Sequence, residues 1–154
     1  MSTATTTDSI WFIDNLARVL VDGASSGGTV AVVEIEGRRG DMPPLHVHRR
    51  EDEIFYVLDG KLSLHQPDGS IELGPGQAAF APRDVPHVYR VESETARWLG
   101  IATPAGFEAF VREVGESAPE DVLPPEGREH DPARIGEIGA RYGIELLGPP
   151  GTLP

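Results

Sequence analysis

Gly40-Asp-Met-Pro-Pro-Leu-His46-Val-His48-Arg-Arg-Glu-Asp-Glu53-Ile-Phe-Tyr-Val-Leu-Asp-Gly60 is the stretch on which the reading of this chain turns. Successive side chains of an extended strand point to opposite faces, so His46 and His48, two apart, project together and offer two imidazoles to one ion. Glu53 opens the next strand-like run and Asp59-Gly60 closes it with a turn. Further on, His87 follows the turn-forming Pro82-Arg-Asp-Val-Pro86. Taken alone, a His-x-His beside Arg49 and Arg50 reads more readily as a pair of surface histidines than as ligands; its flanks decide the matter. Three histidines and one carboxylate, without sulfur, suit iron(II), manganese, nickel, cobalt, copper or zinc, and a six-coordinate ion keeps two positions open for substrate and dioxygen.

Around this stretch, short β-branched and aromatic runs alternate with turn residues at close spacing, the pattern of a β-sandwich or barrel. The expected strands are 10–21, 29–36, 45–48, 53–58, 61–66, 70–73, 78–81, 87–91 and 97–102. Asp59-Gly60 and Asp68-Gly69 read as hairpin turns. The Gly-rich segment 23–28 lacks a Gly-Lys-Ser/Thr ending and reads as a plain loop. After Thr103-Pro104 the period changes: Phe107, Phe110, Val111 and Val114 recur at helical spacing between two glycines. Asp131-Pro132 reads as an N-cap followed by proline, opening a second helix through about residue 142. The expected organisation is a flexible N-terminus (1–9), a barrel with its following helix (10–116), a linker (117–130), and a C-terminal helix with a tail (131–154) fraying from Gly148.

Composition excludes several functions. At 154 residues the chain has room for one sizeable core. Its formal charge of −12 gives no basic field for nucleic acid or anionic membrane. No apolar run approaches the roughly 20 residues of a bilayer span. Cysteine is absent, which removes thiolate chemistry and sulfur-ligated metal sites. The only lysine, Lys61, follows a turn, so Schiff-base catalysis is set aside. The first residues lack the basic and apolar regions of a secretory signal, and a cytoplasmic location is the expectation.

The quoted stretch resembles the first motif of the cupins. That motif asks for Gly, five residues, His-x-His, three or four residues, Glu, six residues and Gly; Gly40, His46, His48, Glu53 and Gly60 meet every fixed place. The second motif is met by Gly76, Pro82 and His87, whereas Asp84 and Val91 replace its Gly and Asn. The broader segment, from Trp11 to Phe107, looks like single-domain quercetinase-like cupins. The resemblance implies an all-β jelly-roll barrel with C-terminal helices and one divalent transition metal (Fe, Ni, Mn, Co, Cu or Zn). His46, His48, Glu53 and His87 would be the ligands, with Glu53 also accepting the substrate's hydroxyl proton.

It further implies a dioxygenase cleaving a flavonol or related enol with O2. The rival readings are a non-oxidative metal-dependent isomerase, cyclase or lyase, and a small-molecule binder without chemistry. Period-2 alternation puts Phe55 and Val57 on the face of Glu53, and Tyr89 and Val91 on that of His87. With Leu45, Phe80 and Trp98 they form the expected substrate pocket. His65 and His130 stay outside the site. The apolar helix face and the strand-like N-terminus lead to the expectation of a homodimer, one of them pairing with a second copy.

Overall fold

A computed structural model describes residues 8–154, so the expected flexibility of residues 1–7 lies outside the described residues. Ser9 already belongs to strand β1 (Ser9–Phe12), which folds back on β2 (Asn15–Val21) as an antiparallel hairpin. The single strand expected over 10–21 is therefore two. The break falls at Ile13-Asp14, where Ile13 adopts φ 55°, a left-handed conformation that period-2 patterning does not reveal and that is unfavourable for a β-branched residue. Between β2 and β3 (Ala31–Arg38) the expected plain loop contains one helical turn, α1 (Gly23–Ser26). A reciprocal capping box nucleates it: Ser25 N–H donates to the Asp22 side chain and the Ser25 side chain bonds Asp22.

Two sheets face each other around the core. The larger runs β11-β1-β2-β3-β10-β5-β8, with β5 (Asp52–Asp59), β8 (Ala78–Ala81), β10 (Thr95–Thr103) and β11 (Glu116–Ser117). Opposite it lie two ladders. One is β12-β4, built from β4 (Pro44–His48) and β12 (Ile144–Pro150); the other is β7-β6-β9, built from β6 (Leu62–Gln66), β7 (Gly69–Leu73) and β9 (Val88–Val91). A backbone bridge between His46 and His87 joins the ladders, His87 N–H donating to His46 O at 3.0 Å. This is the expected jelly roll.

Strand alternation produces the core directly. Ala31, Val33 and Ile35 of β3 are buried every second residue, as are Ala96, Trp98 and Ala102 of β10. Trp98, fully buried, lies across from Ile35 on one side and Val57 on the other. Asp68-Gly69 closes the β6–β7 hairpin as expected. Asp59-Gly60 does not close a hairpin: β5 and β6 belong to different sheets, and Gly60 (φ 75°) turns the chain across the barrel edge. A Cβ at residue 60 would stand 2.3 Å from Thr95 O, so only glycine fits.

The C-terminal part caps one barrel mouth. Helix α2 (Phe107–Val114) buries Phe107, Phe110 and Val111, with Phe110 edge-on to Phe12 at 5.7 Å. Its buried Glu108 accepts hydrogen bonds from Gly23 N–H and Gly106 N–H. Helix α3 (Pro132–Arg141) starts as expected, Asp131 capping Ala133 N–H and Arg134 N–H, and buries Ile135 and Ile138. The expected linker is an extended strap fastened to the larger sheet, with Trp11 Nε1–H donating to Val122 O and Arg38 to Pro124 O.

One expectation is corrected here. The tail does not fray from Gly148, because β12 pairs with β4 as far as Pro150. Within the chain, the apolar face of α2 packs on the barrel and β1 pairs with β2 along its length and with β11 over Ile10 and Trp11. Among the described residues no helix is long and apolar enough to cross a membrane.

Candidate metal centre

His46 and His48 stand on β4, Glu53 on β5, and His87 just before β9, so three strand segments from both sheets deliver four side chains to one point. Their candidate ligand atoms all lie within 4.8 Å of one another. Each histidine turns Nδ1 outward to a fixed partner: Pro44 O at 2.7 Å for His46, Glu51 Oε1 at 2.8 Å for His48, and Val85 O at 3.3 Å for His87. Those acceptors hold the proton on Nδ1, which leaves each Nε2 as a lone pair facing inward. Glu53 Oε2 sits 3.2 Å from His87 Nε2 and 3.3 Å from His48 Nε2, and His48 Nε2 is buried without a hydrogen-bond partner.

This donor set fits a divalent cation. Lone pairs aimed at a carboxylate repel, and a cation among them turns that repulsion into attraction. Ligands at about 2.1 Å from one ion lie about 3–4 Å apart, close to the spacings observed here. The protonation equilibria of His46 and Glu53 agree, and that of His48 runs the other way. Burial, reinforced by the neighbouring His87 and His48, lowers His46 to about 3, so it is a neutral imidazole at ordinary pH. Burial alone would push Glu53 up, but the His48 and His87 side chains outweigh it and bring the carboxyl down to about 2. For His48 burial again opposes the charged form, and Glu53 with Glu51 raises its pKa above the usual histidine value.

Above the cluster lies a narrow chamber of about 60 Å³, walled by Phe12, Ile35, Phe55, Tyr89, Phe107 and Ile144 among others. Ile13, Asp14, Asp41, Met42 and Leu146 also line a larger outer chamber of about 680 Å³ between the barrel rim and the C-terminal cap, so the two chambers share a wall. Of the expected pocket residues, Phe55 and Tyr89 line the inner chamber. Val57 shares the face of Glu53 but lies deeper, packed with Trp98 under Tyr89, and neither reaches the chamber; Val91 likewise belongs to the barrel core. Leu45 is corrected: between Pro44 and His46 on β4 it points to the opposite face from the histidines. Phe80 is corrected as well. It pairs with Ile54, not with Glu53, and stands outside the barrel, 54% exposed.

Asp84, which replaces a glycine of the second motif, adopts φ 65°, a left-handed conformation that aspartate tolerates, and its N–H donates to His48 O at 2.8 Å. His65 is half-buried, bonded to Ser63, and His130 binds Asp14 Oδ1 at 2.9 Å on the rim of the outer chamber. Sequence reasoning passed over Glu51, Asn15 and Asp41. Glu51 was detectable as an acid three residues after His48. Asn15 and Asp41 carry no local signal, because tertiary folding brings them together with Tyr89: Tyr89 O–H donates to Asn15 Oδ1 at 2.7 Å and Asn15 Nδ2–H to Asp41 Oδ2 at 3.2 Å.

Residues 31–102 match the cupin domain family. Over 113 residues the chain is 31% identical to quercetin 2,3-dioxygenase of Bacillus subtilis (strain 168), covering 73% of this chain and 34% of that protein. Over 117 residues it is 26% identical to quercetin 2,3-dioxygenase of Aspergillus japonicus, covering 71% and 33%. It thus spans about a third of the length of these curated relatives. The polyketide cyclase RemF from Streptomyces resistomycificus is similar in structure, with a TM-score of 0.57 and 27% identity over 82% of this chain and 89% of that one. With both motifs seated on a jelly-roll barrel and these likenesses beside them, the chain belongs to the cupins, where it is similar to the quercetin 2,3-dioxygenases.

Proposed function

We propose that this cupin is a metal-dependent dioxygenase acting on a flat, enol-bearing aromatic molecule of the flavonol kind. The observation that carries the reading is the convergence of three imidazole lone pairs and one carboxylate at the floor of an apolar, aromatic-walled chamber. His46, His48, Glu53 and His87 would hold the ion. When bound, a divalent transition metal supplies Lewis acidity that favours the ionised enol and gives dioxygen access to it.

The chain's own residues supply the rest. Phe55 and Phe107 flank the cluster and exclude water from the reacting end of the substrate. Glu53 is ionised at neutral pH and is the carboxylate placed to take up the enol proton. The similarity to two quercetin dioxygenases supports this chemistry over other reactions of the same donor set.

A second reading, non-oxidative cyclisation of a polyketide, is favoured by one observation. The likeness to the polyketide cyclase extends over 82% of this chain, more than the cupin match alone spans. Oxygen uptake separates the two. Metal-loaded protein should consume one O2 per flavonol converted. Conversion that proceeds equally under nitrogen overturns the dioxygenase reading, and ligand binding without any conversion favours a binding protein.

A further inference from the structure

We infer that the two chambers form a bipartite binding site, in which Asp41 at their junction reads a hydroxyl group on the part of the ligand that lies outside the inner chamber. The inference takes the location of the reaction from the reading above and adds a specificity residue to it. Size comes first. Ligand pockets for drug-sized molecules measure about 300–1,000 Å³. The inner chamber, at about 60 Å³, admits only the oxygen-bearing edge of a ring, whereas the outer one, at about 680 Å³, takes a body of two or more rings. The outer chamber is largely apolar, lined by Met42, Ile135, Leu146, Pro149 and Pro150, which suits the faces of flat rings.

Asp41 is on the wall of both chambers. Its hydrogen bonds with described residues, from Arg38 N–H at 2.7 Å and Asn15 Nδ2–H at 3.2 Å, both fall on Oδ2. Oδ1 is the oxygen left to accept from a ligand. The other acid at the junction, Asp14, is half-exposed and bonded by one side chain, that of His130, so it is the less firmly placed acceptor of the two. Asp41 is also held from behind, because Asn15 is itself fixed by the Tyr89 hydroxyl. A carboxylate so anchored is a preorganised acceptor, and a hydroxyl donating to it gains about 10- to 100-fold in affinity over a ligand without one.

Three probes test this on zinc-loaded protein under nitrogen, where zinc, being redox-inert, permits binding without turnover. Maltol carries the enol head on one ring, 3-hydroxyflavone adds the body, and quercetin adds further hydroxyls. Dissociation constants from absorbance titration should fall in that order, with quercetin at least about 10-fold tighter than 3-hydroxyflavone. Asp41→Asn keeps an oxygen for Arg38 and Asn15 but places a donor where Oδ1 was. It should abolish the quercetin advantage and leave 3-hydroxyflavone within about twofold. Pro149→Trp, which fills the outer chamber at a position that does not line the inner one, should weaken both flavonols and spare maltol.

Equal binding of maltol and quercetin to the wild type, or an equal loss for both flavonols in Asp41→Asn, overturns the inference. The same graded binding in a protein that takes up no oxygen upholds it while removing the dioxygenase reading.

Discussion

Replacing Glu51 by glutamine isolates what stands behind the metal-ligating face. Glu51 is 2% exposed and receives the Nδ1–H of His48 at 2.8 Å, whereas His46 and His87 lean on backbone carbonyls. It is therefore the only outer partner among the three that brings a charge, and it helps to raise the pKa of His48. Glutamine keeps an acceptor oxygen at nearly the same place, so ring orientation survives while the charge-assisted bond becomes a neutral one. Loss of such a partner typically weakens metal binding 10- to 100-fold, or about 1.4–2.7 kcal/mol.

Competitive titration of zinc against a chromophoric chelator at pH 7.5 measures it. Glu145→Gln serves as the control: among the described residues the Glu145 carboxylate pairs with the half-exposed Arg49 alone, and its loss should shift affinity by less than about threefold. A Glu51→Gln protein that melts like the wild type and binds zinc within twofold of it would refute the argument that Glu51 tunes His48.

Other outcomes follow from the same geometry. Glu53→Gln should retain measurable metal yet lose at least about 100-fold in turnover, checked by oxygen uptake on protein of known metal content; full activity removes Glu53 from proton transfer. In metal-free protein the unfolded His46 takes a proton near 6.5 while the native residue refuses it down to about 3, so stability is complete above pH 6.5 and declines as pH falls below it. Glu53 adds to that decline between 4.5 and about 2, and the raised pKa of His48 opposes it. Melting curves from pH 7 to 4 should be flatter for His46→Gln, and an unchanged slope counts against the assignment. Phe80→Ser should leave substrate affinity within twofold, whereas Phe55→Ala should weaken it about 10-fold or more, as steady-state KM reports. Trp98→Ala should cost about 3–5 kcal/mol by denaturant titration, because a fully buried indole leaves a cavity in the sheet-to-sheet core.

Legibility in the sequence followed the range of the interactions involved. The cluster His46, His48, Glu53 and His87 was visible because strand period and short spacings place those side chains, and the structure brings all four together. Phe80 was misplaced because its face depends on the register of β8 against β5, two strands separated by the 18 residues 60–77 and so beyond any local cue. Leu45 was misplaced against the very alternation that aligned the two histidines. Strand β12 escaped notice because Gly148, Pro149 and Pro150 read as an ending; as an edge strand it tolerates proline where no ladder N–H is required. Asp59-Gly60 carried a correct turn signal and the wrong partner, since a turn fixes direction but not the sheet into which the chain continues.

Ile13 has a consequence for how this barrel could be re-engineered. Holding a β-branched side chain at φ 55° costs about 1–2 kcal/mol that glycine would not incur. Yet the side chain stands where the inner and outer chambers meet and where a third cavity adjoins. Against that relief, Ile13→Gly gives up the packing of a half-buried side chain on the core and adds the backbone entropy of glycine. The doorway would widen at the expense of thermal tolerance, so a broader substrate range at this position calls for stabilisation elsewhere in the barrel.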